Sequence, residues 1–79
     1  MNERELSERE QAETAVANLL LHRIRQDRYP STTEMQLLEQ ILPRPLVRDY
    51  LNVLLEKVVS EKHPSIPMLQ RIIRVVESM

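Results

Sequence analysis

The sequence predicts an all-α fold: a compact bundle of four helices at about residues 8–27, 32–42, 45–62 and 66–77, with the third helix central. Three observations predict it. Apolar residues recur at spacings of three and four through four separate stretches, which is the period of one helix face. Each stretch is bracketed by start or stop signals, either an S-x-x-E box or a proline. Glycine is absent, and with it the residue that tight hairpins and phosphate-cradling loops use to reach positive φ.

The first helix opens on Ser7 and Glu10, a capping-box pair in which each side chain satisfies a free backbone N–H of the first turn. Ala12, Ala15, Val16, Leu19, Leu20 and Ile24 follow at helical spacing as its inward face. Its end is expected near Asp27, because Tyr29 precedes Pro30 and is biased away from α geometry. Residues 1–6 are expected to fray. A second box, Ser31 with Glu34, opens a short helix whose stripe is Met35, Leu38, Ile41 and Leu42, and Pro43 closes it.

Pro45 suits the first turn of the third helix, where a missing N–H costs nothing. Val47, Leu51, Leu54 and Val58 make one seam, and Leu46, Tyr50, Val53, Leu55 and Val59 widen it. At about 100° per residue, apolar side chains cover well over half the circumference. A helix of that kind has neighbours on several sides, hence its central place. "EKHPS" stops it. The last helix has Pro67 in its first turn and Met68, Leu69, Ile72, Ile73 and Val76 facing inward, with Arg71 and Arg74 on another side. "KVVSE" is rich in β-branched residues but continues the helical period, so no strand is expected.

Seventy-nine residues make one domain, 1–79. A chain of this length buries only about 60% of its unfolded surface, which leaves a few kcal/mol of net stability. There is no cysteine for a disulfide, and His22 and His63 stand alone. With no Phe or Trp and two Tyr, the core must be aliphatic. Stability then has to come from helix packing or from self-association. The start, "MNERELSEREQ", is charged from its third residue and unlike a signal peptide. No apolar run approaches the length of a membrane span. A cytoplasmic protein with no membrane partner is expected.

Enzyme signals are missing. A zinc site needs three or four converging ligands, and neither histidine has a companion at ligand spacing; each is expected near a helix end, where a cation is favoured. Glu10, Glu13, Glu34, Glu39, Glu56 and Glu61 fall on polar or flanking helix positions, away from the apolar cleft that acid–base work requires. Ser31 and Ser65 have capping work and no adjacent base. The expectation is therefore no catalytic residue, no metal, no cofactor and no small-molecule substrate.

Two surfaces invite partners. On the first helix, Leu20, Leu21, Ile24 and Ala17 extend the apolar arc beyond what one neighbour covers, and Leu21 lies nearly opposite Ala12. Arg23, Arg25 and Arg28 lie beside them. These residues are the expected docking site for a protein partner or for a second copy of the chain in a homodimer. The charge pattern is asymmetric: residues 1–13 hold five Glu against two Arg, while 22–28, "HRIRQDR", hold three Arg, a His and one Asp. The alternative partner is DNA. "TTEMQLLEQILPRPLVRDYLNVL" reads as helix, turn, helix, with Arg44, Arg48 and Asn52 placed to face a major groove. Against that, the turn lacks Gly, and the second helix is long and apolar on many sides.

"STTEMQLLEQIL", "RPLVRDYLNVLLEKVV" and "SIPMLQRIIRVV" follow one another at a spacing that resembles the helical C-terminal domain of DnaD/DnaB-type replication-initiation proteins. That domain has a short helix opened by Ser/Thr and an acidic residue, a long xLVxxxLxxxV helix, and a helix carrying aromatic-x3-Ile-x3-Trp. Ile72 matches the central Ile, while Met68 and Val76 stand where the family has its aromatic residue and its Trp. The basic tail that often follows in the family has no counterpart before Met79. The resemblance covers residues 31–79 and implies a scaffold or adaptor of the kind that binds DNA and helps load a replicative helicase.

Overall fold

In a computed structural model, which describes the backbone of residues 3–79 and the side chains from Ser7 onward, the chain forms four helices: α1 (Glu3–Gln26), α2 (Thr32–Ile41), α3 (Arg44–Val59) and α4 (Ile66–Glu77). No strand occurs among the described residues. The all-α, four-helix expectation holds.

The local signals account for most boundaries. Ser31 takes an extended conformation (φ −69°, ψ 148°), and its Oγ accepts the Glu34 backbone N–H at 3.0 Å. Ser65 does the same for α4, accepting from Met68 N at 3.2 Å, with Pro67 in the first turn. Both side chains thus satisfy a backbone donor that the helix itself cannot. Leu42, held out of helical geometry at φ −56°, ψ 106°, precedes Pro43 and ends α2. At the end of α3, Glu61 N donates to Val58 O at 3.0 Å in a tightened turn, and Ser60 Oγ donates to Lys57 O at 2.8 Å. The helix therefore stops at Val59, short of the expected residue 62.

The start of α1 differs more. The helix begins at Glu3, so Ser7 and Glu10 lie inside it and cap nothing. A capping box terminates a helix only where the preceding residues leave helical geometry, and "ERE" ahead of Leu6 consists of good helix formers with no Pro or Gly. Acidic residues there also suit the positive end of the helix dipole. The fraying expected of residues 1–6 falls, for residues 1 and 2 and for the side chains of 3–6, outside the described residues.

The chain divides into two compact units, Met1–Pro43 and Arg44–Met79. In the first, α2 lies against α1. This unit buries Ala17, Leu21 and Ile24 of α1 and Met35 and Leu38 of α2, with Leu20, Ile41 and Leu42 half-buried. Arg23 Nε and Nη2 both donate to Glu34 Oε1, at 3.1 and 3.0 Å, and tie the two helices together. In the second unit α4 lies against α3. It buries Tyr50, Leu51, Val53 and Leu54 of α3 and Ile72 and Val75 of α4, together with Arg71.

Two inward faces therefore differ from expectation. On α1, Leu20 and Ile24 face inward as expected, but Ala12, Ala15, Val16 and Leu19 are exposed, and Ala17 and Leu21 complete the inward line in their place. Helix lengths give the reason. Ten residues of α2 span about 15 Å and twenty-four of α1 about 36 Å. The chain turns back after only five residues, so α2 covers the C-terminal end of α1, where the second line lies. On α4, Ile73 and Val76 are exposed while Val75 and Arg71 are buried. Arg71 was expected beside Arg74 on the polar side; it is instead a buried, partnered residue.

Candidate functional site

The residues expected to dock a partner do not form one exposed face. Leu21 is 4% exposed and Ile24 fully buried, so both belong to the interior of the first unit, and Leu20 is half-buried. The correction follows from the inward line of α1: the supposed surplus face is the one that α2 covers. The arginines stay exposed but have partners within the chain. Arg23 is paired with Glu34, Arg25 has an interaction of its own, and Arg28 sits 5.4 Å from the centroid of the exposed Tyr29 ring, a cation–π distance.

The surplus apolar surface of α1 lies on its other side. Ala12, Ala15, Val16 and Leu19 recur at i, i+3, i+4 and i+7, a single stripe, with Leu19 67% and Val16 48% exposed. Counting about 100° per residue, this stripe is roughly 140° round the helix from the buried line. Glu8 and Arg9 precede it, and Arg9 bridges to Glu13 at 3.2 Å; His22 and Arg23 follow it. A shallow open hollow runs alongside, lined by Ser7, Glu10, Gln11, Thr14, Ala15 and Asn18.

The second unit exposes a stripe of its own. Ile66, Leu69, Ile73 and Val76 of α4 are spaced by three, four and three, and Ile66 is 64%, Ile73 55% and Val76 50% exposed. On α3, Arg44, Arg48 and Asn52 are all exposed and fall four residues apart on one face, as the sequence predicts. Leu55 and Val59 continue that face toward the C-terminus, where a shallow hollow is lined by Asn52, Leu55, Glu56, Val59 and Ser60. The outer face of α3 is thus basic and polar in its first half and apolar in its second.

Among the described residues no three His, Asp or Glu side chains converge as a metal-binding group. His22 lies near the end of α1, and His63 in the connection between α3 and α4; both are exposed. No helix among the described residues is long and apolar enough to cross a membrane. One carboxylate is unusual. Glu34 closes the capping box at the third position of α2, yet its side chain turns to Arg23, and Oε2 is buried with no hydrogen-bond partner.

Leu69, Ile73 and Val76 of the α4 stripe were expected to face inward together with Met68 and Ile72, and periodicity alone does not say which of two adjacent apolar lines a neighbour covers. No protein-family model, no curated protein and no solved structure matches the chain.

Proposed function

We propose that the chain is a non-enzymatic interaction or adaptor module that binds a protein partner through the outer face of α4, in the setting of replication initiation or its regulation. The observation that supports this is the stripe Ile66, Leu69, Ile73 and Val76, three of whose members are at least half exposed. Contiguous exposed apolar surface on a small protein marks contact sites more often than isolated leucines do. The chemistry that fits is an amphipathic helix presenting apolar anchors at i, i+3 and i+7. The replication setting rests on the resemblance of residues 31–79, the span of α2 to α4, with Met68 and Val76 at the two positions where the family's aromatic residues are replaced.

The test is differential capture from the native host with wild type and Ile73→Glu as paired baits, alongside circular dichroism of both. A partner retained by wild type and lost with a fully helical variant is the expected result. The same proteins on both baits, or none on either, would remove α4 as the docking face.

A second reading has an observation of its own. Arg44, Arg48 and Asn52 form one exposed line at the start of α3, suited to phosphate or base-edge contacts. It predicts DNA binding that weakens steeply with salt and loses about 1–3 kcal/mol on Arg48→Ala. Titration against single- and double-stranded DNA at several salt concentrations decides it, and no binding at low salt ends that reading.

A further inference from the structure

We infer that the outer stripe of α1 is a self-association face, and that two copies of the chain pair antiparallel along it. This surface is separate from the α4 face proposed above and stands or falls independently of it.

Three features of α1 select a second copy as the occupant. The first is supply. Ala12, Ala15, Val16 and Leu19 lie away from the buried line, and the ten-residue α2 leaves much of a twenty-four-residue helix uncovered within its unit. A helix with an uncovered amphipathic face draws most of its stability from whatever packs on that face.

The second feature is charge. Glu8 and Glu10 against Arg9 precede the stripe and Glu13 lies within its first turn, whereas Arg23 and Arg25 follow it in α1, with Asp27 and Arg28 just beyond the helix. A parallel pair would set acid beside acid and base beside base. An antiparallel pair avoids this and brings the acidic start of the stripe's face level with its basic end, with Glu10 and Arg25 lying on the far side of the helix. With the two-fold axis between Ala15 and Val16, Glu8 of one copy faces Arg23 of the other. Arg23 commits two of its five N–H donors to Glu34, and its side chain remains 67% exposed.

The third is size. In the same register Ala12 lies opposite Leu19 of the second copy at both ends of the contact, small against large, the alternation that lets two helices interdigitate. Ala15 and Val16 each lie beside their own mates at the axis. The isologous geometry closes on a dimer and leaves no unmatched patch.

The chain has no cysteine, so single-cysteine variants of the full chain report the pairing cleanly. At the usual 8–10 Å between helix axes, Ala15 lies roughly 6 Å, Cα to Cα, from its mate, within disulfide reach. Ala12 is displaced from its mate by about seven residues of rise, roughly 10 Å, and is out of reach. Under mild oxidation Ala15→Cys is expected to form a covalent dimer and Ala12→Cys to remain unlinked. If both link, the pairing is parallel; if neither does, or only Ala12→Cys does, the face is not used as stated; each outcome overturns the inference. Sedimentation equilibrium of the unmodified chain up to about 0.5 mM should show a mass twice 9.4 kDa, with the dissociation constant raised at least about tenfold in Leu19→Glu. A monomer throughout that range refutes the dimer whatever the variant does.

Discussion

The two units solve the same problem, burying one face of a helix pair, with different lengths of helix. In the first, a twenty-four-residue α1 meets a ten-residue α2, and the buried residues of α1 crowd into its C-terminal end. In the second, sixteen residues meet twelve, and burial runs along the middle of α3 from Tyr50 to Leu54. A two-helix unit covers one side of each helix, so the opposite apolar side of α1 and of α4 is left over, and in the first unit the short α2 also confines burial to the C-terminal end of the described part of α1. That places one free stripe on α1 and another on α4.

Removing one core side chain from each unit should have the largest effect. Leu38 and Leu54 are both fully buried, and Leu→Ala at either site should cost about 2–5 kcal/mol. Against a total of a few kcal/mol for a chain this small, either variant should lose its cooperative urea transition near room temperature. A variant that keeps the wild-type midpoint would show that its unit does not depend on that core.

Arg71 and Arg74 distinguish the two sides of α4. Arg71 is buried and partnered, and Arg74 is exposed in the last turn. Removing one member of a buried interaction leaves the other desolvated and alone. Arg71→Ala should therefore destabilise by about 3 kcal/mol, and Arg74→Ala by no more than about 0.5 kcal/mol. Equal losses would mean that the sequence reading, which set both on one polar side, was right about this helix and the buried line wrong.

This pair also shows what the residues made legible. Number, type and approximate span of the helices followed from period, prolines and the Ser31 and Ser65 caps, all local signals. The exposed line Arg44, Arg48, Asn52 was legible because those polar residues interrupt an otherwise apolar helix. The inward faces of α1 and α4 were not. Each helix carries two apolar lines, 12/15/16/19 and 17/20/21/24 on α1, 66/69/73/76 and 68/72/75 on α4. Choosing between them depends on which line a neighbour of given length reaches, and that is a tertiary fact. Leu21, read only as surplus surface, was lost to the interior for this reason, and Ile24, read both as inward and as docking, proved to be inward.

Three serines test the local signals at smaller scale. Ser31→Ala and Ser65→Ala each remove a cap and should lower stability by about 1 kcal/mol. Ser7 shares the S-x-x-E pattern but sits within α1, so Ser7→Ala should be neutral or stabilising by a few tenths of a kcal/mol. Thermal melts of the three variants rank them. A loss at Ser7 equal to the others would restore a helix start there.

The smallest effect separates the two ends of the Arg23–Glu34 bridge. The arginine side chain is 67% exposed and the glutamate 16%. Exposed pairs contribute only about 0–1 kcal/mol, but the two deletions are not equivalent. Glu34→Ala removes the buried, unpartnered Oε2 along with the bridge, so a relieved desolvation penalty offsets the lost attraction. Arg23→Ala keeps the whole carboxylate in place and takes away the donors that Oε1 uses. Arg23→Ala should therefore cost more than Glu34→Ala, by about 0.5 kcal/mol. The gap should persist at high salt, because it reflects burial of Glu34 more than screened attraction between surface charges. Chemical denaturation of both variants at low and high salt measures it, and the reverse order would mean that Oε2 is solvated in solution.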